Sequence, residues 1–230
     1  MNHLVRHFFE IRFKPSSFIL DKRGTLAEIL SRNVPFNHWN IQNSRIDFSG
    51  SDKEDISAFF SYSGLGLSAS YKTDTEKFLF LSKKFIQAAW PHFPADQILR
   101  AGLRTFVYIE QDNFEDTLGR FRKNFLKVSE KKLGEFGGEL VDIGFPLNFK
   151  SDDSYFNVST GPMKKDQAKA LLDSEEIYET GIFIDLDYFK KDLKANLKQG
   201  ELIKFTEEGV QKAMEISETI RKMVGKNVKR

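Results

Sequence analysis

The chain has 230 residues, with 35 basic against 33 acidic residues for a formal charge of +2, and it contains no cysteine. Disulfides, thiolate metal sites and cysteine nucleophiles are thereby excluded, and so weak a global field requires any nucleic-acid reading to rest on a local patch. The length suffices for one large or two small self-sufficient cores, and a cytoplasmic location is the default expectation for a cysteine-free chain.

Met1 to Arg6 lacks the charged and then apolar run of a leader, and no later apolar run approaches a membrane span, so no membrane partner is expected. Leu4 to Phe13 alternates, with Val5, Phe9, Ile11 and Phe13 on one side and Arg6, Glu10 and Arg12 on the other, which predicts a strand closed by Pro15. Thr25 to Arg32 has helical spacing and a stop at Val34-Pro35. Trp39 to Phe48 and Ile56 to Tyr71 read as the two arms of a long hairpin around the polar turn of residues 49–55. In the second arm Phe59, Leu65, Leu67, Ala69 and Tyr71 are expected on one side, leaving Gly64 and Gly66 bare on the other, a mark of a bulge or of close approach by another group.

A capping box from Thr73 to Glu76 opens a helix whose stripe is Phe78, Leu81, Phe85 and Ala88 or Ala89. The next segment, Leu99 to Ile109, organises the chain: Leu99, Ala101, Leu103, Val107 and Ile109 alternate with Arg100, Gly102, Arg104, Phe106 and Tyr108, as in a central strand. A second helix is capped by Asn113, with Phe114, Leu118, Phe121 and Phe125 inward and Arg120, Arg122, Lys123 and Lys127 outward. Gly134, Gly137 and Gly138 mark a joint. Beyond it Val141 to Phe149 and Tyr155 to Thr160 predict a second hairpin, Gly161-Pro162 interrupts, Gln167 to Leu172 predicts a brief helix and Gly181 to Phe189 a last strand. Lys190 to Lys198 reads as a short basic helix or lid, and the final helix starts near Thr206 and ends before Gly225, leaving a basic tail at Lys226 to Arg230.

The predicted class is α+β, with antiparallel sheets and helices packed on one face. The order β-α-β-β-α-β in the first half predicts two ferredoxin-like lobes, residues 1–130 and 139–230, or one continuous domain.

Three short stretches, Phe8-Phe9-Glu10-Ile11-Arg12-Phe13, Tyr71 ahead of a helix followed by Gly102-Leu103-Arg104, and Ile184-Asp185-Leu186-Asp187, resemble a sporadically distributed family of uncharacterised bacterial proteins. Where that family continues Gly-Leu-Arg with a tyrosine and an asparagine, this chain has Thr105-Phe106-Val107. The resemblance implies kinship of fold and supplies no catalytic residue or cofactor.

Asp185 and Asp187 leave one face of a strand and could hold Mg²⁺ for phosphoryl or nucleotide chemistry, although a surface-facing strand accounts for the same pattern. Arg104 is expected to pair with one of them across the sheet; alternatively Arg100 and Arg104 grip an anionic ligand above Gly64 and Gly66. The four histidines, His3, His7, His38 and His92, are scattered with no zinc spacing, and His3 and His7, four apart on one side of a strand, read as strand-edge residues. No phosphate loop, dinucleotide fingerprint or nucleophile elbow is present. The leading expectation is a non-catalytic interaction or ligand-binding module, its partner a protein or a small anion. The enzyme at Asp185 and Asp187 is the alternative, and single-stranded nucleic acid held by Arg120, Arg122, Lys123 and Lys127 with Phe106 and Tyr108 is a less favoured third. Exposed sheet edges permit a homodimer.

Overall fold

The computed structural model describes residues 2–50, 55–126, 128–172, 177–191, 193 and 197–224. Its frame, among the described residues, is a single antiparallel sheet of nine strands, in the spatial order β2 (His38–Ile41), β3 (Arg45–Ser49), β4 (Ile56–Ser61), β5 (Gly64–Ala69), β1 (His3–Phe13), β6 (Ile98–Glu110), β9 (Thr180–Lys191), β8 (Ser154–Lys164) and β7 (Phe145–Ser151). β1 (His3–Phe13) and β6 (Ile98–Glu110) pair along their length, and β6 pairs in turn with β9 (Thr180–Lys191), so one sheet runs unbroken from the first half of the chain into the second. The class is α+β.

Alternation decides which face each residue takes. Phe9, Ile11, Ala101, Leu103, Val107, Ile182, Ile184 and Leu186 all join the main core. That core is roofed by α2 (Arg23–Asn33), α3 (Thr75–Ala89), α4 (Phe114–Phe125) and α7 (Gln199–Val224). The cap of α3 is Asp74, which accepts from the Lys77 N–H at 2.6 Å, and the buried stripe is Phe78, Leu81, Phe85 and Ala89. Asn113 caps α4 as expected, accepting from the Asp116 N–H at 3.1 Å. One helix departs from this layer. α6 (Lys165–Leu172) sets Ala168 and Leu172 against Phe106, Tyr108 and Phe183 on the opposite face of the sheet.

Several sequence expectations are corrected. The two long arms are four strands: β2 (His38–Ile41) and β3 (Arg45–Ser49) reverse at residues 42–44, and β4 (Ile56–Ser61) and β5 (Gly64–Ala69) at residues 62–63. The second reversal changes the face on which Phe59 falls. It pairs with Gly66, and a Cβ there would meet Phe59 Cε1 and the Phe9 carbonyl oxygen at 2.7 Å each, so the ring and a neighbouring backbone fill the space the glycine leaves. A short helix, α1 (Ser17–Asp21), precedes α2, and another, α5 (Glu130–Gly134), occupies the expected joint.

In the second half β7 (Phe145–Ser151) begins after Val141 and Ile143, and β8 (Ser154–Lys164) continues through Gly161-Pro162. Pro162 is tolerated because β7 ends at Phe145 opposite Thr160, leaving that end of β8 at an edge where a missing N–H costs no ladder bond. α7 starts seven residues before Thr206, whose hydroxyl donates back to the Leu202 carbonyl at 3.1 Å within the helix. His7 is no edge residue: it is 1% exposed on the helix side, stacked on Phe78 at 4.7 Å. Lys127, residues 225–230 and residues 192 and 194–196 of the basic segment lie outside the described residues, as do residues 51–54 of the 49–55 turn.

Candidate functional site

Between β3 and β8 the face away from the main helices carries a band of charged and aromatic side chains. Cross-strand register arranges them in rows: Ser68, Phe8, Arg104, Asp187 and Asn157 form one, Gly66, Glu10, Gly102, Phe189 and Tyr155 the next, and Gly64, Arg12, Arg100 and Lys191 a third. Asp185 stands opposite Phe106, one row beyond Asp187.

The arginines bond along diagonals. Arg104 donates from Nε and Nη2 to the two oxygens of Asp185 at 2.8 and 2.6 Å, although Asp187 stands directly opposite it. Arg100 Nη2 reaches both oxygens of Asp187 at 2.6 and 2.8 Å, and its Nη1 lies 3.9 Å from Glu10. Glu10 in turn accepts two bonds from Arg12, at 2.9 and 3.0 Å. The result is a charge ladder, Arg12–Glu10–Arg100–Asp187, with the Arg104–Asp185 fork beside it. Each guanidinium of the inner pair lies over a ring, Arg100 over Phe189 at 4.6 Å and Arg104 over Phe106 at 4.9 Å. Bonding to Asp185 raises the Arg104 pKa, and bonding to Glu10 raises that of Arg12.

Phe8, Glu10, Arg100, Gly102, Arg104 and Phe189 line a groove of about 610 Å³ over this ladder. A second groove of about 580 Å³ continues across Phe8 and Glu10 toward Ser57, Phe59 and Arg45. α6 walls the face at one end, anchored by Tyr108, whose hydroxyl is shared between the carbonyls of Met163 at 3.0 Å and Tyr178 at 3.2 Å. Burial pushes the Tyr108 pKa up, which keeps that hydroxyl a donor.

The structure therefore brings Arg100, Arg104, Asp185 and Asp187 together. Gly64 and Gly66 lie on the far side of β1, Gly64 in the row of Arg100 and Gly66 beneath Phe59. Both aspartates are occupied by arginines, and among the described residues no group of three or more histidine or acidic side chains could hold a metal ion. The proposed basic patch is divided from its aromatics: Phe121 fixes α4 into the main core, whereas Phe106 and Tyr108 belong to the cluster on the other face. Arg120 is also no solvated cation, since it donates to the Val224 carbonyl at 2.7 Å, Gln111 Oε1 at 2.9 Å and Thr117 Oγ1 at 3.0 Å.

Sequence reasoning overlooked Glu10, Gly102, Phe189 and Lys191. The charged positions of β1, alternating on the same face as those of β6, were the available signal. The sequence matches no protein-family model and no curated protein.

Proposed function

We propose that this protein is a non-catalytic binding module whose partner sits on the open face over β5, β1, β6 and β9. The observation that carries the reading is the pair of adjoining grooves lined by rings and by arginines already held in place, a surface that offers flat apolar area and oriented charge without ordering long side chains on binding. Lys191 lies over Phe189 at 5.3 Å and, among the described residues, has no carboxylate in ion-pair reach, so the groove carries a positive excess that favours an anionic partner. Metal-assisted phosphoryl chemistry is the weaker reading, because Asp185 and Asp187 would first have to release Arg104 and Arg100.

The finer fold assignment belongs to the same proposal. Read as β1-α2-β4-β5-α3-β6, the first half has the spatial order β4-β5-β1-β6, the arrangement of a ferredoxin-like unit. Residues 139–230 do not repeat it, since β9, β8 and β7 are consecutive neighbours. Kinship with the bacterial family that the Gly102-Leu103-Arg104 strand resembles, and a reducing cytoplasmic setting consistent with the absence of cysteine, complete the proposal.

A photo-crosslinking amino acid placed at Ser57 or Arg104, in cells, tests it. Adducts formed from these two positions and absent from Lys204, on the far side in α7, are the expected result. Equal adducts from all three, or adducts from Lys204 alone, would remove the open face as the binding surface.

A further inference from the structure

The nine-stranded sheet has two edges, and they are treated differently. β7, Phe145-Pro146-Leu147-Asn148-Phe149-Lys150-Ser151, includes a proline that withholds an N–H and a lysine, both devices that discourage a further strand from adding. β2, His38-Trp39-Asn40-Ile41, has neither, and all four residues are exposed.

Its apolar side chains are placed as if the core were to continue. Trp39 and Ile41 stand opposite Phe48 and Ile46, which are 2% and 0% exposed, yet are themselves 48% and 38% exposed. The buried stripe of the helix-covered face thus runs to the margin of the sheet and ends there in solvent.

The backbone at this edge has a defined parity. The Gln42 N–H donates to the Arg45 carbonyl at 2.8 Å, so residue 42, and with it residues 40 and 38, turn their peptide groups toward β3. Trp39 and Ile41 therefore turn theirs outward. Only one antiparallel pairing of β2 with its own copy sets these two outward residues opposite each other: Asn40 faces the partner's Asn40 across a two-fold axis, and Trp39 faces the partner's Ile41. That register satisfies the backbone and the side chains together. It forms hydrogen bonds in both directions between residues 39 and 41, and it places a tryptophan ring against an isoleucine twice on the helix-covered face.

We infer that β2 is a homodimer edge, at which a second copy of this chain pairs antiparallel with Asn40 on the two-fold axis. The contact is isologous, as a two-fold interface must be, and no like charges face each other along the strand. An edge of this length gives an interface at the small end of the scale, so the dimer is weak and concentration-dependent. Pairing leaves the grooves of the open face uncovered and joins two of them in one extended sheet.

Because the chain has no cysteine, N40C supplies a single thiol, and directly opposed residues of a non-hydrogen-bonded pair lie close enough for a disulfide. Under mild oxidation N40C is expected to form a covalent dimer several-fold faster than N148C on β7, while sedimentation velocity of the parent chain shows reversible dimer growing with concentration. I41K is expected to abolish that dimer and keep the far-UV spectrum of the parent. If I41K fails to fold, the N40C comparison still decides. A parent chain that stays monomeric over the whole concentration range, or a dimer in which N40C crosslinks no faster than N148C, would overturn the inference.

Discussion

The guanidinium of Arg100 lies where a side chain on Gly102 would stand: a Cβ built at Gly102 would be 2.8 Å from Arg100 Nη1 and 3.1 Å from its Cζ. The two residues are neighbours on the same face of β6, and the bare backbone of one is the bed on which the other crosses to Asp187.

Gly102→Ala is therefore expected to displace Arg100 and leave the fold intact. The obstructing atoms are the far end of a flexible side chain, and the loss is that of one part-exposed ion pair, about 1 kcal/mol or less. Gly66→Ala presses against the Phe9 carbonyl and the Phe59 ring instead, and should cost roughly 1–3 kcal/mol. Urea unfolding of the two variants separates these cases, and the arginine Nε–H resonances report whether Arg100 alone has moved in Gly102→Ala.

The two arginine–aspartate links differ in shelter. The Arg100 and Asp187 side chains are 20% and 27% exposed, whereas Arg104 is 52% exposed beside an Asp185 that is 19% exposed, so the difference lies in the arginines. Asp187→Asn gives up the same ion pair, leaving Glu10 3.9 Å from Arg100, and is expected to cost about 1 kcal/mol, the upper end of the range for Gly102→Ala. A double-mutant cycle on Arg104 and Asp185 should return a coupling of about 1 kcal/mol or less, and one that falls further in added salt.

His7 makes stability depend on pH. Its ring nitrogens lie 3.0 Å from Thr105 Oγ1 and 3.2 Å from Thr75 Oγ1, and burial lowers its pKa to about 4. The unfolded chain thus binds a proton that the folded chain refuses. The stability tied to neutral His7 is complete above the unfolded value near 6.5 and is lost as pH falls from there toward 4, by roughly 3 kcal/mol in all. Urea midpoints measured across that range should fall more steeply for the parent than for His7→Gln, and parallel curves would count against the assignment.

Arg120→Ala removes the donor that holds the Val224 carbonyl at the end of α7. A charge-assisted bond to a helix C-terminus contributes about 1–2 kcal/mol, and the loss should appear as faster hydrogen exchange in the last turn of α7.

How much of this was legible follows from where alternation is strong. β6 announces both of its faces, and with them the expectation that Arg104 meets an aspartate of β9, because each strand alternates and puts its charges, Arg100 and Arg104 on one and Asp185 and Asp187 on the other, on a single face. The diagonal was not legible. That Arg104 takes Asp185, leaving Asp187 for Arg100, depends on strand twist and on the space over Gly102, neither of which is written in a pattern of polarity. The reversals at residues 42–44 and 62–63 escaped because they lack the Asn-Gly or Asp-Gly pair that marks a tight hairpin, and one missed reversal was enough to put Phe59 on the wrong face. Thr206 imitates a helix cap, since a threonine followed by two glutamates suits either a first turn or the middle of a long helix.

The most direct test of binding at the open face is hydroxyl-radical footprinting of the same chain in cells and after purification. Phe8, Phe59 and Tyr155, half-buried on that face, should be oxidised less in cells than in the pure protein, while Phe80 and Phe136, which are 58% and 87% exposed elsewhere, should be oxidised alike in both. Equal oxidation of the open-face rings in the two settings, or protection confined to Phe80 and Phe136, would contradict it.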